Sequence, residues 1–203
     1  GIYLSAHPLD EYRVILENVC NIGVTQLEDR TSLVNKDLIM GGVVTGVRET
    51  RTKTGKPCGF TRIEDFTGSS EIALFGEPWL KWANMMKEGN YLFIKAKCQP
   101  YKYNPERIDF VINSIELLQD VKDTAISSMT LSMPVSELDK EFVSDLDTLT
   151  GKEGKTTLKF VLTDLSSPDN SVSLSSATRR ITVTQELMDY LKSKESINYS
   201  FNQ

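Results

Sequence analysis

The chain is short of the residues that build metal centres, holding one histidine and three cysteines in 203 residues. Cys20, Cys58 and Cys98 lie far apart and form no C-x-x-C pair, so with His7 as the sole histidine a structural zinc site lacks its ligands. Free thiols in a reducing cytosol follow. No run approaches the roughly 18 consecutive apolar residues that a membrane span requires. The first residues also lack the basic-then-apolar layout of a signal peptide. A soluble, cytoplasmic protein without a membrane partner is expected. Basic residues are outnumbered, 23 against 28 acidic, for a net charge of -5. That balance counts against a nucleic-acid partner, because phosphate affinity rests largely on Lys and Arg.

What is present qualifies this. Hydrophobic residues make up 39% and charged residues 25%, ordinary globular usage that argues against extended disorder. The length favours one large or two small domains. Charge is unevenly spread: residues 1–37 carry three basic against six acidic residues, 38–118 carry 11 against nine, and 119–203 carry nine against 13. A weakly basic module between acidic flanks is compatible with DNA binding.

Residues 1–37 read as a linker or helical segment, with a helix from Asp10 to about Asn18 that places Leu9, Tyr12, Ile15 and Leu16 along one side between Pro8 and Gly23. Over 38–120 the signal is mostly β. Strands are predicted at Leu38–Thr50, Cys58–Glu64, Glu71–Phe75, Tyr91–Cys98 and Arg107–Leu118. A helix from Glu77 to Lys87 falls between the third and fourth, and Gln99–Glu106 forms a loop between the last two. Five strands with one helix in that place is the layout of an OB-fold barrel. Residues 125–203 read as a small α+β docking domain. It begins with a strand to Met133 and a helix from Pro134 to about Leu149, followed by a turn over Gly151–Gly154. Strands follow at Thr156–Thr163 and Ser171–Leu174, separated by a Ser166–Asn170 turn. A short strand at Ile181–Val183 precedes a helix from Gln185 to Lys194 capped by Thr184, and Ile197–Phe201 closes the sheet.

The segment Tyr91–Cys98 alternates. A strand there would bury Leu92, Ile94, Ala96 and Cys98 and present Tyr91, Phe93, Lys95 and Lys97 on its other face. Rings stack on bases while lysines track phosphates, the chemistry of sequence-tolerant single-strand binding. Phe60 and Arg62 share a face of the second strand, the preceding turn supplies Arg51, Lys53 and Lys56, and the later loop supplies Tyr101, Lys102, Tyr103 and Arg107. These are the two connections with which OB-folds grip oligonucleotides. The same pattern also fits Phe60, Phe75 and Phe93 as core or interface residues with solvated lysines around them, a purely structural protein–protein interaction module without direct DNA contact.

Catalytic chemistry finds no support. Asp145 and Asp147 stand two apart on a predicted helix and so point in different directions, with no third carboxylate for a two-metal centre. Gly154-Lys155-Thr156 mimics the end of a phosphate loop, but position 149 is Leu149 where the motif needs glycine. His7 has no nucleophile with a base and orienter near it. No catalytic residue, metal or cofactor is expected. Gln185-x-x-Met188-x-Tyr190 suggests the short peptides that plug into sliding clamps, and equally an amphipathic helix face with Leu187 and Leu191.

Gly1-Ile2-Tyr3-Leu4-Ser5-Ala6-His7-Pro8-Leu9 resembles the segment that follows the clamp-binding region in the alpha subunit of bacterial DNA polymerase III. Gly41-Gly42-Val43-Val44, Lys53-x-Gly55-Lys56-Pro57, Glu64-Asp65-Phe66-Thr67-Gly68-Ser69 and Leu74-Phe75 are similar to that subunit's OB domain. Gly151 before a strand and Arg179-Arg180-Ile181 before the last helix resemble its C-terminal domain. The resemblance implies a piece of a longer replicative polymerase, which would as a whole be a DNA-directed DNA polymerase, a nucleotidyltransferase. The polymerising domains would lie upstream, so this piece is not expected to be an enzyme. The resemblance implies the tau subunit of the clamp loader as a partner, beside the single-stranded DNA and the sliding clamp suggested by the residues above, and the piece itself is expected to be a monomer. Phe66 stands where many relatives carry an aliphatic residue.

Overall fold

The computed structural model describes residues 7–102, 104–164 and 167–202. The expectations at Gly1–Ala6, Tyr103 and Ser166 therefore fall outside the described residues. The chain divides into two compact units, Gly1–Val121 and Lys122–Gln203.

In the first unit, strands β1 (Asp37–Arg51), β2 (Pro57–Asp65), β3 (Gly68–Phe75), β4 (Tyr91–Tyr101) and β5 (Asn104–Leu117) form one antiparallel sheet in the order β3-β2-β1-β4-β5. β1 serves both halves: Asp37–Val43 pair with β4, and Val43–Arg51 pair with β2 with an irregularity between Val44 and Gly46. A bulge adds local bend and twist, which lets one 15-residue strand curl the sheet toward a barrel. Period-two alternation turns Leu38, Met40, Ile63, Ile72, Leu92, Ile94 and Cys98 inward, all nearly or wholly buried. Burying each of the larger aliphatics is worth about 1.5–3 kcal/mol, so this shared interior dominates the unit's stability. It is an OB-fold.

The N-terminal segment is more than a linker. A 3-10 turn (Asp10–Tyr12) runs into α1 (Arg13–Asn18), and two further 3-10 turns (Val24–Glu28 and Arg30–Leu33) insert Val24, Leu27 and Leu33 into the barrel interior. Buried Asp65 ties this plug to the β2–β3 turn. Its carboxylate accepts the Val24 N–H at 2.9 Å, the Thr67 N–H at 2.7 Å and the Thr67 hydroxyl at 2.6 Å. After β3, α2 spans only Glu77–Trp82, shorter than predicted. The N–H groups of Met85 and Met86 both turn back to the Trp82 carbonyl, and Asn90 Nδ2 donates to the Met85 carbonyl at 2.8 Å. The chain thus leaves the helix while still burying Met86. A single turn, α3 (Leu118–Val121), follows β5.

The second unit is α+β. β6 (Ser128–Pro134) is parallel to β7 (Gly151–Asp164) through the crossover helix α4 (Lys140–Leu149). β8 (Ser167–Thr182), α5 (Gln185–Lys192) and β9 (Asn198–Asn202) complete the sheet order β8-β7-β6-β9. Pro134 ends a strand and does not start a helix. A 3-10 turn (Val135–Glu137) intervenes, and α4 is capped by Asp139, which accepts the Phe142 N–H at 2.8 Å. The predicted turn at Gly151–Gly154 is part of β7, and Ser167 already pairs with Asp164, so the predicted short strands and the turns between them merge into one long β7–β8 hairpin. Register shifts along that hairpin break the regular alternation that would have revealed it.

Candidate nucleic-acid interface

On the outer face of β1, β2 and β3 the register aligns three rows: Gly46, Arg62 and Glu71; Arg48, Phe60 and Ala73; Thr50, Cys58 and Phe75. The Phe60 and Phe75 rings meet edge to face at 6.0 Å, and the Arg48 guanidinium lies 4.4 Å above the Phe60 ring. Phe75 is 46% exposed and Arg48 and Arg62 are exposed. Two predicted residues, Phe60 and Arg62, therefore sit on an open sheet face. Arg48, which the sequence pattern did not single out, joins them there. Its signal was available in the alternation of Arg48 and Thr50 opposite Phe60 and Cys58, but only once the hairpin register is known.

The β4 stripe needs correction. Leu92, Ile94, Ala96 and Cys98 are buried as their spacing implies, and Lys95 and Lys97 are exposed. Phe93, however, is only 3% exposed, so its ring is not presented for base stacking. The reason lies across the strand pair. Phe93 is opposite Gly41 of β1, and the space above Gly41 is taken by α1, where an added Cβ would come within 2.6 Å of Leu16 Cδ2. Tyr12 packs its ring 5.3 Å from that of Tyr91, and α3 packs against β4. The rings of this stripe hold the N-terminal segment down. Lys95 Nζ lies 5.7 Å from the Phe93 ring centre, and Lys97 pairs with Asp37 at 3.0 Å.

Between β1 and β2 the turn is closed by Gly55 N–H to Thr52 carbonyl and Thr52 N–H to Lys56 carbonyl bonds. Arg51 Nη1 donates to the Gly55 carbonyl at 3.1 Å, while Lys53 and Lys56 are exposed. The predicted Gln99–Glu106 loop shrinks to a tight hairpin, because β4 runs on to Tyr101 and β5 starts at Asn104. Arg107 lies 4.9 Å over the Tyr101 ring and pairs with Asp109 at 3.1 Å; Lys102 is exposed at the tip. Burial pushes the Cys20 thiol up to about 12 and the Cys98 thiol upward, which removes thiolate chemistry at neutral pH.

In the second unit, a groove of about 690 Å³ lies between α4, β7 and β8, with Val143 and Leu174 exposed beside it. Asp145 accepts the Tyr190 hydroxyl at 2.8 Å, and Asp147 pairs with Arg179, so both carboxylates act in packing. The clamp-peptide reading of Gln185-x-x-Met188-x-Tyr190 is corrected. Met188 is fully buried, so its side chain is not presented to another protein, and the part-buried Tyr190 ring packs on Phe142.

A five-stranded barrel of this strand order, with the edge-to-face Phe60–Phe75 pair and the Arg48 cation on one outer face, is an OB-fold, here followed by a small α+β domain. Comparison agrees for each part. Residues 39–118 match the model of the OB-fold nucleic acid binding domain, and residues 129–202 match that of the DNA polymerase III alpha subunit, C-terminal domain. The DNA polymerase III subunit alpha of Bacillus subtilis (strain 168) is 27% identical over 146 residues, 72% of this chain and 13% of that protein. The same subunit of Treponema pallidum (strain Nichols) is 38% identical over 79 residues, 39% of this chain and 7% of that one. The chain is thus similar to the C-terminal region of the DNA polymerase III alpha subunit, its OB unit and its C-terminal unit each matching in turn. Among solved structures, the mitochondrial single-stranded DNA binding protein Rim1 of S. cerevisiae aligns with 40% of this chain and 92% of its own, at 16% identity and a TM-score of 0.31, too low to bear on function.

Proposed function

We propose that the OB unit binds single-stranded DNA on the Arg48–Phe60–Phe75 face, as the template-guiding part of a replicative polymerase. The α+β unit docks another replisome subunit, with the clamp-loader tau subunit as the partner. The observation that carries the reading is the exposed Phe75 ring set against Phe60 under the Arg48 guanidinium. Bases stack on such rings irrespective of sequence, and Arg62, Lys53, Lys56, Lys95, Lys102 and Arg107 are exposed cations of the same unit that can meet phosphates. The chain spans about 13% of the Bacillus subtilis subunit, and this piece takes no part in nucleotide transfer; the whole protein would be a DNA-directed DNA polymerase. The groove between α4, β7 and β8, with apolar Val143 and Leu174 at its side, offers the docking surface.

Fluorescence anisotropy with labelled oligo-dT tests the DNA reading. Arg48→Glu/Arg62→Glu and Lys95→Glu/Lys97→Glu should each weaken binding, and wild-type affinity should fall steeply with salt. Equal binding by all three proteins, or none at low salt, would remove it. A second reading draws support from the burial of Phe93: if the outer face serves protein contact alone, calorimetry with clamp-loader components would show binding while oligonucleotides show none.

A further inference from the structure

The strand order leaves β3 and β5 each with one neighbour, and among the described residues no ladder joins the two. A groove of about 600 Å³ occupies that seam, walled by Ala73–Phe75, by α2 and by 107–112 of β5. Resting on the nucleic-acid reading above, we propose that this seam is a second, separate base pocket, which receives one or two nucleobases of a strand laid across the Arg48–Phe60 face.

The lining has that chemistry. Phe75, Trp82 and Phe110 contribute rings, and a cation stands by two of them: Lys81 Nζ is 4.4 Å from the Trp82 ring centre and the Arg30 guanidinium 5.8 Å from that of Phe110. Arg107 is the third cation of the wall. Of the two acids there, Asp109 is engaged by Arg107, which leaves Glu77 at the first turn of α2. With Arg107 and Asp109 paired, an apolar protein segment pressed into this groove would desolvate two further cations, Arg30 and Lys81, with one remaining acid to answer them. A nucleotide meets both needs, its base against the rings and its phosphate at the rim. The volume lies in the range of small-molecule sites, about 300–1,000 Å³. Phe75 connects the two surfaces, lining the groove while its ring touches Phe60 on the open face. A strand following the exposed rings therefore arrives at the mouth of the seam.

Tryptophan emission reads this directly. Trp79 is 3% exposed in the core, whereas Trp82 is part-buried and lines the groove. Emission is titrated with oligo-dT and with an abasic oligomer of equal length, which carries the same phosphates without bases, while anisotropy follows binding in parallel. The pocket predicts quenching by oligo-dT, little by the abasic strand, and loss of the quenching in Trp82→Phe. Binding of oligo-dT without quenching, or equal quenching by the abasic strand, overturns the pocket and leaves the open-face reading standing. Absence of any anisotropy change at low salt overturns both. Quenching by a Val-Thr hexapeptide and not by oligo-dT assigns the open edges to an added peptide strand and overturns the pocket as well.

Discussion

The guanidinium of Arg48 sits 4.4 Å above the ring of Phe60, its direct partner across the β1–β2 pair. A cation over an exposed ring is worth about 0.5–1 kcal/mol, whereas stacking one base on a ring contributes about 1–3 kcal/mol. The ring is therefore the larger loss. Phe60→Ala should weaken oligo-dT binding about tenfold, and Arg48→Ala by only a few-fold, with circular dichroism showing both still folded. A larger effect from Arg48→Ala than from Phe60→Ala would reverse the assignment of which group carries the contact.

Salt dependence separates the lysines. Lys53 and Lys56 project from a turn locked by its own hydrogen bonds, whereas Lys97 is held by Asp37 at 3.0 Å. Removing one lysine–phosphate pair on a single strand lowers the slope of log K against log salt by about 0.7. Lys53→Ala/Lys56→Ala should thus flatten the slope by about 1.4, and Lys97→Ala by clearly less than one such pair. Equal slopes for all three proteins would place the strand away from the first loop.

Much of the barrel was legible because its strands alternate cleanly: Leu92, Ile94, Ala96 and Cys98 turn inward as spacing requires, and Trp79 and Met86 mark the intervening helix and turn. What spacing cannot show is which outer face another segment covers. Phe93 obeys the alternation, yet α1 and α3 lie over its side of the sheet, so a position that looked available is spent on packing. The plug of Val24, Leu27 and Leu33 escaped notice for a related reason, since 3-10 turns of four or five residues carry no periodic signature. In the second unit Pro134 matched a helix start, but it closes β6, and the Asp139 cap five residues later sets the true start of α4.

Gly59 gives a test of the barrel that is independent of DNA. A Cβ at this position would come within 2.3 Å of Trp79 Cζ3, deep in a ring that cannot swing aside without opening the core. Overpacking of this kind costs about 1–3 kcal/mol. Gly59→Ala should lower the urea midpoint accordingly and red-shift the Trp79 emission. An unchanged midpoint would mean that α2 shifts freely against β2.

Tyr190 supplies a pH signature for the second unit. Burial, then the hydrogen bond to Asp145, push its phenol from 10.0 up to about 12. The folded state therefore keeps a proton that the unfolded chain releases first. Stability from this group is complete below about 10 and is lost as pH climbs toward about 12. Tyr190→Phe keeps the ring packed on Phe142 but has no proton to lose. In urea unfolding across an alkaline series, the wild-type protein should begin with an advantage from its Asp145 bond and surrender that advantage between those two values. A difference between the two proteins that stays constant over the whole series would show that the phenol titrates alike in the folded and unfolded chains, and that the Asp145 contact does not persist in solution.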